Sequence, residues 1–416
     1  MVCLALESPT NYYVSMDKNI LEAVLTKSWK ETSMKKVISV EGIPAVGKNL
    51  NFLSDVVRLT LKVVLGNGRF VNKSVIMKIR GESNDFQVEF NAKFNTFKTE
   101  TEMYNSLRQM EYLMEEIEDT EDVLWCNMIH HIPYSCVILE DLKTKGFNTI
   151  ERDLFYDLDH ILLSVHSLGR FHAMCKTLEV KGLAPEGLKP FFILNDIGLQ
   201  GFIYWDLMAL KKSVKRFWDP TWTPIIEKIK ISKDEFHERL KKLSELDKTK
   251  FNVTNHGDCH KNNIVIKYNC DKQPIAMRFL DFQLLHYGSP CIDLTYMIYL
   301  ATIPSVRREN FDLILRTYHN ALLNTLDKYH FQGKKPDMKE IRDGMDKYLF
   351  MGSVLALSWY VNMSKSDRME EMRDFKKIEE TDGEEGYSDE YYKPDEVEED
   401  IGPDIKVFVD RFFSNS

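Results

Sequence analysis

Between His256 and Asp293 the chain reads HGDCHKNN, IVIKY, a turn through Asn269–Pro274, IAMRFLDFQ and then YGSPCIDL. The runs Ile264–Tyr268 and Ile275–Leu280 are β-rich, and the Asp- and Pro-containing turn between them predicts a hairpin. Asp258 and Asn263 precede the first strand, and Asp281 directly follows the second. A hairpin brings its outer ends together, so these three side chains are expected to meet at one sheet edge. Two carboxylates and an amide make a hard oxygen site suited to magnesium, which takes few protein ligands and keeps waters and phosphates for the rest.

Other readings compete for the same residues. His256, Cys259 and His260 could form a zinc cluster. Asp258 could simply cap a loop. Asp293 reads as structural, capping a helix that begins near Leu294 and tethering the loop at His256; a metal-holding role is its alternative.

HGD, four residues, Asn263 and then an Asp-Phe pair at Asp281 resembles the catalytic core of protein kinase-like enzymes. There an Asp orients the acceptor hydroxyl, an Asn five residues on holds a metal, and the Asp of the DFG-type motif holds the metals bridging the phosphates. HGD in place of HRD resembles the small-molecule kinases related to aminoglycoside and choline kinases. DFQ, followed by Gly288-Ser-Pro and Asp293-Leu294, resembles the ecdysteroid kinase-like (CHK kinase-like) family. The resemblance implies an α/β (α+β), two-lobed fold: a small β-rich N-lobe over residues 1–141, and a larger, mainly helical C-lobe over 142–416. It also implies transfer of the ATP γ-phosphoryl group to a small-molecule hydroxyl with Mg2+. Asp258 would orient that hydroxyl, Asn263 and Asp281 would hold the metal, and His256 and Asp293 would support the loop.

The same frame organises the N-terminal half. Residues 15–30 predict a helix with Ile20, Leu21, Val24 and Leu25 on one face. Val37–Val64 is β-rich around a small polar turn at Gly47–Ser54, the shape of a loop that folds over ATP phosphates, or of a plain hairpin. A strict GxGxxG is missing; Asn51 and Ser54 stand near the tip. Lys78, in SVIMKI, sits on a predicted strand, where an inward Lys needs a charged partner. It resembles the kinase β-strand lysine. FKTETEMY, on a helix expected over Phe90–Met114, resembles the family's FxxExxxY; Glu100 would pair with Lys78, with Glu102 as the alternative. Tyr134–Leu142 reads as a strand entering a linker, and Glu140 to Leu142 would supply the backbone contacts to adenine.

Further along, Leu154–Leu178 predicts a long helix whose His166 and His172 read as helix core. Aromatics between 182 and 250 could line an apolar acceptor pocket or form ordinary core. Residues 308–331 and 338–363 predict amphipathic helices. The stretch 364–400 is charged and poor in apolar residues, which suggests a mobile or extended surface segment. Its tyrosines, Tyr387, Tyr391 and Tyr392, resemble phosphorylation targets by composition. The apolar end at 401–413 suggests a terminus that docks back.

Bulk properties exclude several classes. The chain carries 44% apolar and 29% charged residues, a globular composition. Its net charge of −9 is local: Glu379–Asp400 holds twelve acids and one Lys, leaving about +2 elsewhere. No basic stripe interleaved with aromatics suggests nucleic acid. Seven scattered cysteines form no CxxC pair and suggest reduced thiols. The N-terminus lacks a secretory pattern. Leu349–Val361 is too short and too polar for a membrane span and reads as a buried helix. The expectation is a cytoplasmic monomer whose partners are ATP and a small-molecule alcohol, an ecdysteroid or another steroid or xenobiotic. A degenerate kinase that binds nucleotide or a lipophile without transfer is the competing class, and a zinc hydrolase the third.

Overall fold

The structure is a computed structural model that describes residues 18–28, 34–45, 54–82, 85–151, 154–364 and 369–413. Its N-terminal lobe is an antiparallel sheet of β1 (Met34–Pro44), β2 (Ser54–Leu65), β3 (Phe70–Arg80), β4 (Met128–Ile132) and β5 (Cys136–Glu140), in the order β1-β2-β3-β5-β4. Alternation sets its buried face: Val57, Leu59, Leu61 and Val63 of β2 point inward while their neighbours face out. Helix α1 (Lys18–Ser28) sets Leu21 and Leu25 against that face.

Two helices follow where the periodicity suggested one. α2 (Asp85–Phe94) and α3 (Thr96–Glu116) are separated at Asn95, whose φ of 52° is left-handed. Asn adopts that conformation more readily than most non-glycine residues. α3 joins the core of the C-terminal lobe through Phe97, Met103, Tyr104 and Leu107.

The C-terminal lobe is built on α4 (Leu158–Val180), capped by Asp157, whose carboxylate accepts from His160 N at 3.0 Å. Ile161, Val165, Leu168 and Phe171 make its buried stripe. His172 is buried with them, but His166 is exposed, so the core reading fails for that residue: it projects from the opposite face. Short strands lie against α4. β6 (Phe147–Asn148), β8 (Ile264–Tyr268) and β9 (Pro274–Phe279) form one sheet, with β7 (Val253–Asn255) paired to β10 (His286–Gly288) beside it. The remaining long helices are α5 (Ile197–Phe217), α6 (Lys233–Leu243), α7 (Cys291–Ala301), α8 (Pro304–Lys328), α9 (Met338–Lys347) and α10 (Pro394–Phe412). The apolar run after α9 is buried as expected. No described helix is long and apolar enough to cross a membrane.

The acidic stretch departs from its composition. Within its described residues, Arg373, Tyr391 and Tyr392 are buried. Arg373 Nη2 pairs with Asp206 Oδ1 of α5 at 2.9 Å, and Tyr387 donates to the same carboxylate oxygen at 2.7 Å. The acids face outward while Tyr and Arg point in, an alternation that net charge hides. Tryptophans of the inserted region anchor this layer: Trp218 Nε1 donates to Tyr392 O at 2.8 Å and Trp222 Nε1 to Glu398 at 2.9 Å. Trp218 and Trp222 are core rather than pocket lining, whereas Phe191 lines a cavity. α10 docks through Ile401, Ile405 and Val409.

Candidate active site

The hairpin forms in the expected register, with Ile264 opposite Phe279. Leu280 N donates to Asn263 O at 2.8 Å, which stitches its open end shut. Asn263 and the following Asp281 are thereby set side by side. Asn263 Nδ2 donates to Asp258 Oδ2 at 2.8 Å and to the Asp258 carbonyl at 3.0 Å. Tyr296, from α7, donates its hydroxyl to Asp258 Oδ1 at 2.8 Å, and His260 Nε2 lies 3.4 Å from the same oxygen. His260 Nδ1 accepts from Asn262 N at 3.2 Å, so the ring proton belongs on Nε2 and faces the carboxylate. Donors therefore hold both oxygens of Asp258.

Beneath this loop Asp293 is fully buried. Its carboxylate accepts from His256 N at 2.6 Å and Gly257 N at 2.9 Å, and His172 Nε2 lies 3.2 Å away. Asp293 falls inside the first turn of α7, not ahead of the helix, so it ties the loop and does not cap. Burial alone would raise its pKa; the hydrogen bond and charge of His172, with His286 and His256 nearby, outweigh that and hold it at about 2. His172 in turn bonds the Tyr318 hydroxyl at 2.7 Å. Helix periodicity gave no sign of this buried chain.

Gly257 has φ of +85°, and a Cβ there would lie 1.9 Å from the Leu284 carbonyl oxygen. Only glycine fits between the two, which accounts for HGD in this backbone. His256 uses both ring nitrogens: Nε2 reaches Leu280 O at 2.9 Å, and Nδ1 accepts from Asp258 N at 3.2 Å. Cys259 Sγ donates to Asp293 O. The zinc reading fails on these bonds, because neither imidazole nitrogen of His256 is free to ligate. No group of three or more His, Cys, Asp or Glu side chains among the described residues is arranged to hold a metal.

Across the cleft, β3 presents Lys78, 4% exposed. Its Nζ lies 2.9 Å from Glu100 Oε2 and 2.7 Å from Asp281 Oδ1. Turned to satisfy both neighbours, the Gln283 amide accepts from Lys78 Nζ at 3.1 Å and donates to Asp281 Oδ1 at 3.2 Å. Glu102 instead faces Lys98 on the surface, 3.6 Å away. Burial lowers the Lys78 pKa, but the charges of Asp281 and Glu100 prevail and raise it. Burial pushes Glu100 up to about 7, against the opposing pull of Lys78. Asp281 itself is left-handed, with φ of 66°, a conformation that Asp adopts more readily than most residues.

At the strand exit, Glu140 N is taken by Asn127 O at 2.9 Å. Asp141 accepts from Arg58 Nε at 2.8 Å and Ser74 Oγ at 2.6 Å, and Leu142 opens a short turn. Ser54 begins β2, its hydroxyl buried and without a hydrogen bond to any of the described residues. Asn51 and Gly47 lie outside the described residues.

The sequence profile of the ecdysteroid kinase-like family matches residues 48–331, more than half the chain. The chain belongs to the ecdysteroid kinase-like family. Membership places it among small-molecule kinases, which are phosphotransferases. All the site residues above fall within the matched span. The chain is also similar to a solved microcompartment-associated aminopropanol kinase, at 10% identity and a TM-score of 0.39 over 96% of this chain and 98% of that one. No curated protein matches it.

Proposed function

We propose that this ecdysteroid kinase-like protein transfers the γ-phosphoryl group of ATP to a hydroxyl of an apolar small-molecule alcohol, an ecdysteroid or another steroid or xenobiotic. The observation that carries the reading is the meeting of Lys78 and Glu100 with Asp281, which the hairpin sets beside Asn263 and Asp258. Residues 1–141 and 142–416 are the two lobes in this reading.

Phosphoryl transfer needs alignment and charge neutralisation more than covalent chemistry. Asp258, pinned by Tyr296 and Asn263, accepts the hydrogen bond of the acceptor hydroxyl and aims its oxygen. Lys78 grips the nucleotide phosphates, and Glu100 fixes its ammonium. Ser54 and Asn51 belong to the loop over the phosphates, and Glu140 to Leu142 to the adenine contact. His256 and Asp293 hold the backbone of the Asp258 loop.

The donor set of Asn263 and Asp281, one amide oxygen and one carboxylate at adjoining hairpin ends, fits magnesium. When bound, Mg2+ supplies neutralisation of phosphate charge. Asp281, whose Oδ1 meets Lys78, would offer its other carboxylate oxygen to that ion.

The test is magnesium-dependent transfer from labelled ATP to a panel of ecdysteroids, sterols, plant glycosides and choline. Asp258→Asn and Asp281→Asn are each expected to abolish turnover while keeping the fold. Near-wild-type turnover in either removes the role assigned to that residue. ATP binding with no transfer to any alcohol would favour a non-catalytic binder.

A further inference from the structure

The buried helix that precedes the acidic segment is interrupted at one turn. Its α-helical parts, Leu349–Val354 and Tyr360–Ser364, are joined by a π-helical turn over Leu355–Trp359. A π turn bonds residue i to i+5, so it holds one residue more than the turns around it; such turns are rare and often stand at functional sites. This one ends on an exception in burial. Every residue from Phe350 to Asn362 is buried except Trp359, which is partly exposed.

The indole of Trp359 is also unlike the others. Trp125, Trp205, Trp218 and Trp222 each donate their N–H to a carboxylate or carbonyl of the protein, at 2.8 or 2.9 Å. Of the described tryptophans, Trp359 alone makes no such bond to the described residues, and its N–H is open to solvent. Tryptophan is suited to sites with one apolar and one wet end, because it joins a broad ring face to a single donor.

Its position ties it to the site. The indole meets Tyr296 edge to face, with ring centroids 6.5 Å apart, and the Tyr296 hydroxyl donates to Asp258 Oδ1 at 2.8 Å. His260 stacks on the same tyrosine ring at 6.3 Å. The next residue of the helix, Tyr360, packs on Phe155 at 4.4 Å, and that ring covers Lys261 Nζ at 3.9 Å. The π turn is thus fastened at two points to the loop that carries Asp258. Tyr296 itself is buried, whereas Asp258, His260 and Trp359 around it are each partly exposed, so solvent reaches the carboxylate and the indole on either side of one tyrosine.

Resting on the phosphotransfer reading above, we propose that Trp359 is the platform of the acceptor subsite. A fused-ring alcohol lays its apolar face on the indole, gives a second oxygen to the indole N–H and brings its reacting hydroxyl to Asp258.

The probe is tritiated estradiol, a fused-ring diol, bound to the full chain in equilibrium dialysis, with 17-deoxyestradiol as the competitor that lacks the second oxygen. The expected result is one estradiol per chain, held about tenfold more tightly than 17-deoxyestradiol. Trp359→Ala is expected to weaken estradiol by about tenfold or more. Trp359→Phe keeps an aromatic face but loses the donor, so it is expected to remove most of the preference for estradiol over 17-deoxyestradiol. Thermal melts by circular dichroism check that both variants are folded, and the phenylalanine arm decides alone if the alanine variant is not. Absence of saturable estradiol binding overturns the proposal. So does binding that survives in folded Trp359→Ala, or a preference left intact in Trp359→Phe. Estradiol that binds through Trp359 but receives no phosphate from ATP overturns the phosphotransfer reading and leaves the platform standing. Transfer to estradiol with the same acceptor KM in wild type and Trp359→Ala does the reverse.

Discussion

Replacing Gly257 by Ala puts a single methyl where two constraints meet. The left-handed conformation costs a non-glycine residue about 1–2 kcal/mol. The methyl would also sit 1.9 Å from the Leu284 carbonyl oxygen, so one of the two backbones must retreat by more than an ångström to reach even 3.0 Å. That movement draws the Gly257 N–H away from Asp293, at present 2.9 Å distant. A hydrogen bond to a charged group contributes about 1.5–3 kcal/mol. Together the substitution is expected to cost about 2.5–5 kcal/mol, a large part of the roughly 5–15 kcal/mol that holds a typical domain together. Urea unfolding followed by circular dichroism measures it. Gly68→Ala is the control, since Gly68 has φ of +82° but nothing within 4 Å of its Cβ position. It isolates the conformational cost. If Gly257→Ala destabilises no more than Gly68→Ala, the fit against Leu284 is not what selects glycine in HGD.

Three more outcomes follow from the same contacts. Tyr296→Phe removes one donor from Asp258 and is expected to lower kcat about tenfold, as loss of about 1.4 kcal/mol would, with KM for ATP unchanged; an unchanged kcat would mean that Asn263 and His260 suffice to orient the carboxylate. Glu100 has a folded pKa of about 7 against an ordinary 4.5, so its contribution to stability is fully present below 4.5 and is lost as pH rises through 7. Without nucleotide, Glu100→Gln is expected to gain on the wild type by roughly 3 kcal/mol across that window, and parallel stability curves would refute the raised pKa. Arg373→Met leaves the Asp206 carboxylate buried without its cation and is expected to cost about 3–5 kcal/mol by denaturant unfolding; a loss below 1 kcal/mol would show that Tyr387 and Asn362 satisfy Asp206 by themselves.

The site was legible where its parts are close in sequence or carried by a family motif. Asp258, Asn263 and Asp281 flank one hairpin, and two-residue alternation with a polar turn is enough to bring them together. Lys78 and Glu100 were found through the motifs around each. The partners missed are those reached only by tertiary packing. Tyr296 lies 38 residues beyond Asp258, and His172 lies 121 residues before Asp293. Each sits on an apolar helix where its polar atom reads as incidental. The acidic stretch misled for a related reason. Composition sums both faces of a segment, whereas Arg373, Tyr391 and Tyr392 are decided by a carboxylate on α5 that the sum cannot register. Asn95 was missed because a one-residue break barely disturbs the apolar period.

The last layer of the molecule bears on how it is made. The core between α1 and one face of the N-terminal sheet is drawn from residues before 141, so that layer can close while the ribosome is still at work. The C-terminal lobe cannot: Ile401, Ile405, Val409 and Phe413 belong to its main core. Until they emerge, Trp218 and Trp222 lack the carbonyl and carboxylate that hold their indoles. A nascent chain therefore waits, with aromatic surface uncovered, for residues 394–413, and this is the interval in which chaperones would engage it and a stop ahead of them would be most damaging.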